Sequence, residues 1–341
     1  MLRAHLKRIS LPTPRNLTRT GPSKRRYGSF IPGTPLPAVP VLRPTLWAFA
    51  ATATIYIGCA AYDVRKDVQN AKKKGYFKDG TVGSYEDLEE ARRRGHTRYS
   101  PARAPPRSQW HPPGQIGQMM AGYSDAERLI LGAAALNIGL LGASYLAPTA
   151  FTQHFFHIPV LSPNYTLLTS AFGHGGLLHV GMNTLALLSF GPVVARSPTF
   201  EGNGSHFAAF YLSTAIFASL GDQFATILPT RKYRLNRFSA SMGASGVIMA
   251  MMGASFTTYP DARIGIIFLP GSYPMQNVAA AVILFEMYGL FVGFPRWNLG
   301  HGAHLAGLAV GSAYVYFDGQ KRLWRPARRF TFQCMKRLKA L

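Results

Sequence analysis

Residues 241–259 read SMGASGVIMAMMGASFTTY, a run without a charged residue that holds Gly243, Ala244, Ser245 and Gly246 near its start. The basic residues Arg231, Lys232, Arg234 and Arg237 precede it, and Pro260 closes it. A bilayer asks about 20 apolar residues of a spanning helix, so this run reads as a somewhat short membrane helix. Its Gly, Ala and Ser residues let a neighbouring helix approach closely. Gly-x-Ser-Gly alone is a weak motif in a chain with 34 glycines, and its neighbours must decide what it means.

Outward from this run lie five more apolar segments, at residues 129–146, 176–195, 207–228, 278–292 and 303–317. The first starts behind Ser124 and Glu127, spaced as a capping box. Segments this short lean on neighbours, thin the membrane or line a wet cavity. A further apolar run, Leu46–Tyr62, comes earlier in the chain. The net charge of +23 could suggest nucleic-acid binding. Its placement argues otherwise, because the basic residues crowd into the first 44 residues, the Arg65–Arg128 stretch and the tail after Gly319. The expected partners are therefore the lipid bilayer and membrane proteins, with no nucleic acid. Two cysteines, Cys59 and Cys334, support neither a disulfide framework nor a cysteine metal site. No metal or cofactor is expected.

Eight basic residues fall between Arg3 and Arg26, and no acid precedes Asp63. That composition predicts a mitochondrial presequence over 1–44, with a proline-broken basic tail as the alternative. The organisation expected behind it is an extra transmembrane helix at 45–62, a polar basic connector at 63–123, a helical membrane core at 124–318 and a basic tail at 319–341. The connector reads as a solvated linker near anionic lipid, with one short surface helix behind Ser84 and Asp87.

Polar groups in apolar runs are costly in hydrocarbon and are functional candidates by default. His179 and Asn183 share one face of the second segment at i and i+4. Ser245 opens the fourth segment and His304 the sixth. Each alone has an ordinary explanation: a membrane histidine often serves as an interhelical hydrogen-bond donor, and Gly307 with Gly311 reads as a close-packing surface. Together they form a kit for acyl transfer, with a serine nucleophile, an imidazole base and oxyanion donors. Gly243 and Gly246 are expected to clear space beside the serine. A solute transporter would more often show repeated halves, and none is visible.

These residues resemble the rhomboid intramembrane serine proteases, in particular their mitochondrial inner-membrane (PARL-type) branch. The resemblance rests on His174, His179 and Asn183 in GHGGLLHVGMN, and on Glu201, Gly204 and Ser205 in EGNGSHFAAFY. It rests further on Gly243, Ser245, Gly246, Ala250 and Gly253 in GASGVIMAMMG, and on Ala303, His304, Gly307 and Gly311 in AHLAGLAVG. The stretch YPDARIGIIFLPG is similar to the mitochondrial branch as well. The resemblance implies an all-α membrane protein with a six-helix rhomboid core and one extra N-terminal transmembrane helix (1+6), in the mitochondrial inner membrane. It implies a serine endopeptidase that cuts single-span membrane proteins, with Ser245 and His304 as a dyad and Asn183 and His179 at the oxyanion. The alternative is a non-catalytic rhomboid-like binder. Many rhomboids carry a tyrosine where Met249 stands, and a thioether there is expected to pack against the imidazole. No motif supplies an acidic third member of a triad. Glu286 is expected to be structural, with gating or a proton path as the alternative, and His174 and His301 to be peripheral.

Overall fold

A computed structural model describes residues 37–77, 82–96, 120, 122–229, 237–266, 269–294 and 299–341. The presequence expected over 1–44 therefore lies almost wholly outside the described residues, as do Arg231, Lys232 and Arg234. The regular structure of the described residues is helical apart from a two-residue antiparallel strand pair, β1 (Arg263–Ile264) with β2 (Tyr273–Pro274), and one isolated β-bridge.

Helix α1 spans Leu42–Lys73, well past the expected end of the first apolar run at Tyr62. The extension is polar and has a partner. Arg328, in a C-terminal helix at Arg325–Arg337, is fully buried and reaches Asp63, Asp67 at 2.8 Å and Glu89 at 2.9 Å. Glu89 belongs to α2 (Tyr85–His96), whose first turn is closed by Ser84 and Asp87 hydrogen-bonding reciprocally. Val64, Val68, Leu88 and Phe332 form a small apolar cluster beneath these ion pairs. This corrects the reading of 63–123 as a solvated linker: its described parts dock against the tail, because carboxylates and apolar residues on α1 and α2 meet one buried guanidinium.

The remaining long helices are α3 (Asp125–Leu146), α6 (Leu177–Ala195), α7 (Gly204–Ala225), α8 (Ser245–Thr258), α9 (Met275–Phe291), α10 (His301–Tyr316) and α11 (Arg325–Arg337). The short helices α4 (Pro148–Phe155) and α5 (Thr166–Thr169) fill the connection between α3 and α6. The Ser124–Glu127 capping box is present at the start of α3. Among the described residues, α1, α3 and α6 are long and apolar enough to cross a membrane. Their outer faces stay apolar, with Leu146 88% and Leu178 81% exposed, as expected of a surface that meets lipid.

Helix α7 runs through the centre, packed on α1, α3, α8 and α10. Its surroundings are protein on most sides, which is why it tolerates buried Ser213, Thr214 and Gln223. Helices α8 and α10 form the tightest pair. A methyl group at Gly307 would run into the carbonyl oxygen of Gly246, and one at Gly311 into that of Ala250. These glycines bring the two backbones into contact, so residues at the same ends of both helices come within side-chain reach.

Candidate active site

The fourth apolar run does not become helical at Ser241. Ser241 pairs with His157 as an isolated β-bridge, and Gly243 N–H donates to Ser170 O at 2.9 Å. The chain turns at Gly243, where φ is +120°, and the helix begins at Ser245. As the first helical residue, Ser245 has an N–H with no carbonyl behind it in the helix. Fourteen residues of α8 rise about 21 Å, less than the ~30 Å hydrocarbon thickness. A helix this short leaves its serine end below the membrane surface or thins the bilayer around it.

Ser245 faces the first turn of α10, where Ser245 Oγ lies 2.8 Å from His304 Nε2. His304 is 7% exposed and Ser245 is half-buried. The two residues are 59 positions apart in sequence, and the glycine-lined α8–α10 contact brings them together. Asp222 of α7 lies beside the start of α10, where a methyl group at Gly302 would come within 3.0 Å of its Oδ1. A carboxylate suits the positive end of a helix.

His179 and Asn183 converge on the same place from α6. A methyl group at Gly243 would come within 2.8 Å of His179 Nε2, with Asn183 Nδ2 at 3.8 Å. Gly175 N–H donates to His179 Nδ1 at 3.3 Å. That bond leaves the ring proton on Nε2, the atom turned towards Gly243. Asn183 spends one amide hydrogen on His179 O at 2.9 Å and keeps a second. His174 is buried beside them, its ring edge-on to His179 at 5.1 Å, so it supports that ring instead of standing apart.

The two supporting glycines part company. Gly243 makes room for His179, whereas a methyl group at Gly246 would meet Ala218 Cβ at 2.7 Å. Gly246 is packed against α7 in this structure. Met249 joins the apolar cluster of Phe256, Met275 and Leu308.

Glu286, expected to be structural, and His301, expected to be peripheral, both lie against the His304 ring or its partner. Glu286 Oε1 lies 3.0 Å from His304 Nδ1, and its Oε2 lies 2.5 Å from His301 Nδ1. All three residues are buried. His301 is thus not peripheral, and a carboxylate does stand behind the His304 ring. Their pairing with His304 carries no sequence sign, because Glu286 sits alone in an apolar helix, 18 positions from His304, with no motif around it.

A glycine-zipped helix pair with a serine and a histidine at its mouth, and a histidine–asparagine helix alongside, defines a class of membrane protein. Residues 161–321 match the rhomboid domain. The match begins after α3. Among curated proteins the chain is similar to the human presenilin-associated rhomboid-like protein, mitochondrial, with 28% identity over 219 residues, which is 62% of this chain and 53% of that protein. It is 32% identical over 154 residues to Rhomboid protein 1, mitochondrial, of Saccharomyces cerevisiae, covering 45% of this chain and 41% of that one. It is 28% identical over 147 residues to Rhomboid protease GluP of Bacillus subtilis, covering 43% and 24%. The chain spans about half the length of the first of these relatives.

Proposed function

We propose that this chain is an intramembrane serine endopeptidase of the mitochondrial inner membrane, with six core helices and α1 as an additional span, that cuts single-span membrane proteins. The observation that carries the reading is the 2.8 Å contact between Ser245 Oγ and His304 Nε2 at the start of two buried, closely packed helices. In this reading the hydroxyl proton passes to His304 Nε2 as Ser245 Oγ attacks a peptide carbonyl. His304 then gives that proton to the leaving amine, the C–N bond breaks, and an ester on Ser245 remains for water to hydrolyse. The tetrahedral oxyanion is held by the Ser245 N–H, the free Asn183 amide hydrogen and His179 Nε2–H.

A transmembrane helix keeps its carbonyls bonded within itself, so the substrate must unwind before it is attacked. Segments rich in Gly, Ser or Ala around the cut site suit this best. The acid-free basic stretch at the N-terminus and the mitochondrial relatives support the location.

The test is cleavage of a model transmembrane substrate in proteoliposomes, with fluorophosphonate labelling in parallel. Wild-type protein is expected to cut and to label, and Ser245→Ala and His304→Ala to do neither while remaining folded. Wild-type protein that binds the substrate without cutting it would favour the non-catalytic binder. Cleavage that persists in Ser245→Ala would remove the serine from the mechanism.

A further inference from the structure

The carboxylate of Glu286 is shared between two imidazoles. Its Oε1 lies 3.0 Å from His304 Nδ1 and its Oε2 2.5 Å from His301 Nδ1. We infer that Glu286, steadied by His301, is the positioning residue that fixes the ring of His304 for its work on Ser245. The inference rests on the serine-protease reading above and adds an acidic member to it.

The hydrogen-bond arithmetic is restrictive. A carboxylate only accepts, so each of the two Nδ1 atoms facing it carries a proton. A neutral imidazole with its proton on Nδ1 has a bare lone pair on Nε2. On His304 that lone pair points at Ser245 Oγ, 2.8 Å away, as a general base requires. Had the proton sat on Nε2, the ring would compete with the hydroxyl as donor and could not take its hydrogen. The carboxylate also faces the side of the ring that becomes positive once the serine proton arrives. Serine proteases with a carboxylate behind the histidine gain orientation and charge stabilisation from the same contact.

The surroundings keep Glu286 in place. A methyl group at Gly289, three residues along α9, would overlap the His301 ring, so the glycine creates the slot the ring fills. The rings of Phe285 and Phe294 lie against His301 at 5.9 and 5.6 Å between centroids. Among the described residues, no lysine or arginine forms an ion pair with Glu286, and its partners are the two imidazoles. The same three side chains offer atoms within 4.8 Å of one another, a spacing that could also hold a metal ion. The 2.5 Å contact speaks for a hydrogen bond, because two ligands of a tetrahedral zinc stand roughly 3.4 Å apart at ordinary bond lengths.

Kinetics on the purified full-length protein test the inference, with Ser245→Ala alongside. Glu286→Gln presents one acceptor and one donor, so it cannot serve both Nδ1–H groups. Its kcat is expected to fall about 10²–10⁴-fold with KM within threefold and thermal unfolding near that of wild type. Glu286→Asp is expected to recover part of kcat, which a merely structural acid would not predict. If Ser245→Ala is inactive and folded Glu286→Gln keeps kcat within twofold of wild type, the dyad stands and Glu286 has no positioning role. If Ser245→Ala still cleaves, the protease reading itself fails. Should Glu286→Gln not fold, ¹⁵N NMR of histidine-labelled wild type decides, with His304 assigned by its loss in His304→Asn. A His304 protonated at Nδ1 supports the inference, and one protonated at Nε2 overturns it.

Discussion

The ring of His301 occupies the space that a side chain at Gly289 would fill. This contact links α9 to α10 at the level of Ser245, and it holds the partner of Glu286. Gly289→Val should push His301 out of its slot and loosen the carboxylate behind His304. The expected result is a kcat lowered about tenfold or more, with substrate affinity largely kept. Steady-state cleavage in detergent, normalised to folded protein, measures this. A Gly289→Val enzyme with wild-type kcat would mean that the His301 contact is packing alone.

The oxyanion assignment yields a different kinetic signature. Asn183→Ala should lose about 10²–10³ in rate, since one donor to a developing negative charge is removed. His179→Ala should lose a similar amount, because its Nε2 faces the same place beside Gly243. The double variant should lose less than the product of the two, as both act on one oxygen. Rates within twofold of wild type for Asn183→Ala would remove that residue from the site.

Much of this arrangement could be read from residue order. Ser245 and His304 stand out because polar groups in apolar runs are costly in hydrocarbon, and the structure brings them to 2.8 Å. Helix bounds came within a few residues wherever a cap or a proline marked them, as with Ser124 before α3. Two features were hidden. A single acid in an apolar helix carries no sign of its partner, and Glu286 finds His304 only through helix packing 18 residues away. The polar half of α1 reads as linker because its stabilisation comes from Arg328, 261 residues beyond Asp67. Hydropathy reports what a segment avoids, and it does not report which distant side chain will compensate it.

Arg328 makes that second point testable. Its guanidinium is fully buried and faces Asp63, Asp67 and Glu89. Arg328→Met removes the guanidinium that the three carboxylates share and leaves Asp67 with Arg92 at 3.8 Å. The cost is expected at about 3–5 kcal/mol, the range for breaking a buried ion pair. Unfolding by heat in detergent should show it, together with faster proteolysis between α1 and α2. Adding Asp63→Asn and Asp67→Asn should restore part of the loss by removing the stranded charges. The triple variant should cleave substrate at close to the wild-type rate at low temperature, since none of these residues touches Ser245 or His304.

The contacts at helix ends bear on which way the site opens. Before α1, Pro37 O accepts from Arg237 at 2.9 Å and Pro40 O from Gln223 at 2.5 Å. Both partners lie at the end of the molecule where Ser245 begins its helix. At the other end of α1, Asn203 reaches Asp63 at 3.1 Å and Arg328 reaches Asp67, so the start of α7 and the C-terminal helix share that face. Residues 37–41 thus lie on the side where Ser245 begins its helix, and α11 lies on the opposite side. Charge alone would put the heavily basic connector and tail in the matrix. Long polar segments can cross a membrane largely regardless of charge, whereas a single span fixes parity. If the N-terminal segment enters the matrix and α1 is retained, Ser245 opens towards the matrix and α11 lies in the intermembrane space. A tag placed after Leu341 should then be digested in mitochondria whose outer membrane alone is ruptured. A tag that survives there and is lost only when the inner membrane is opened would turn the molecule over.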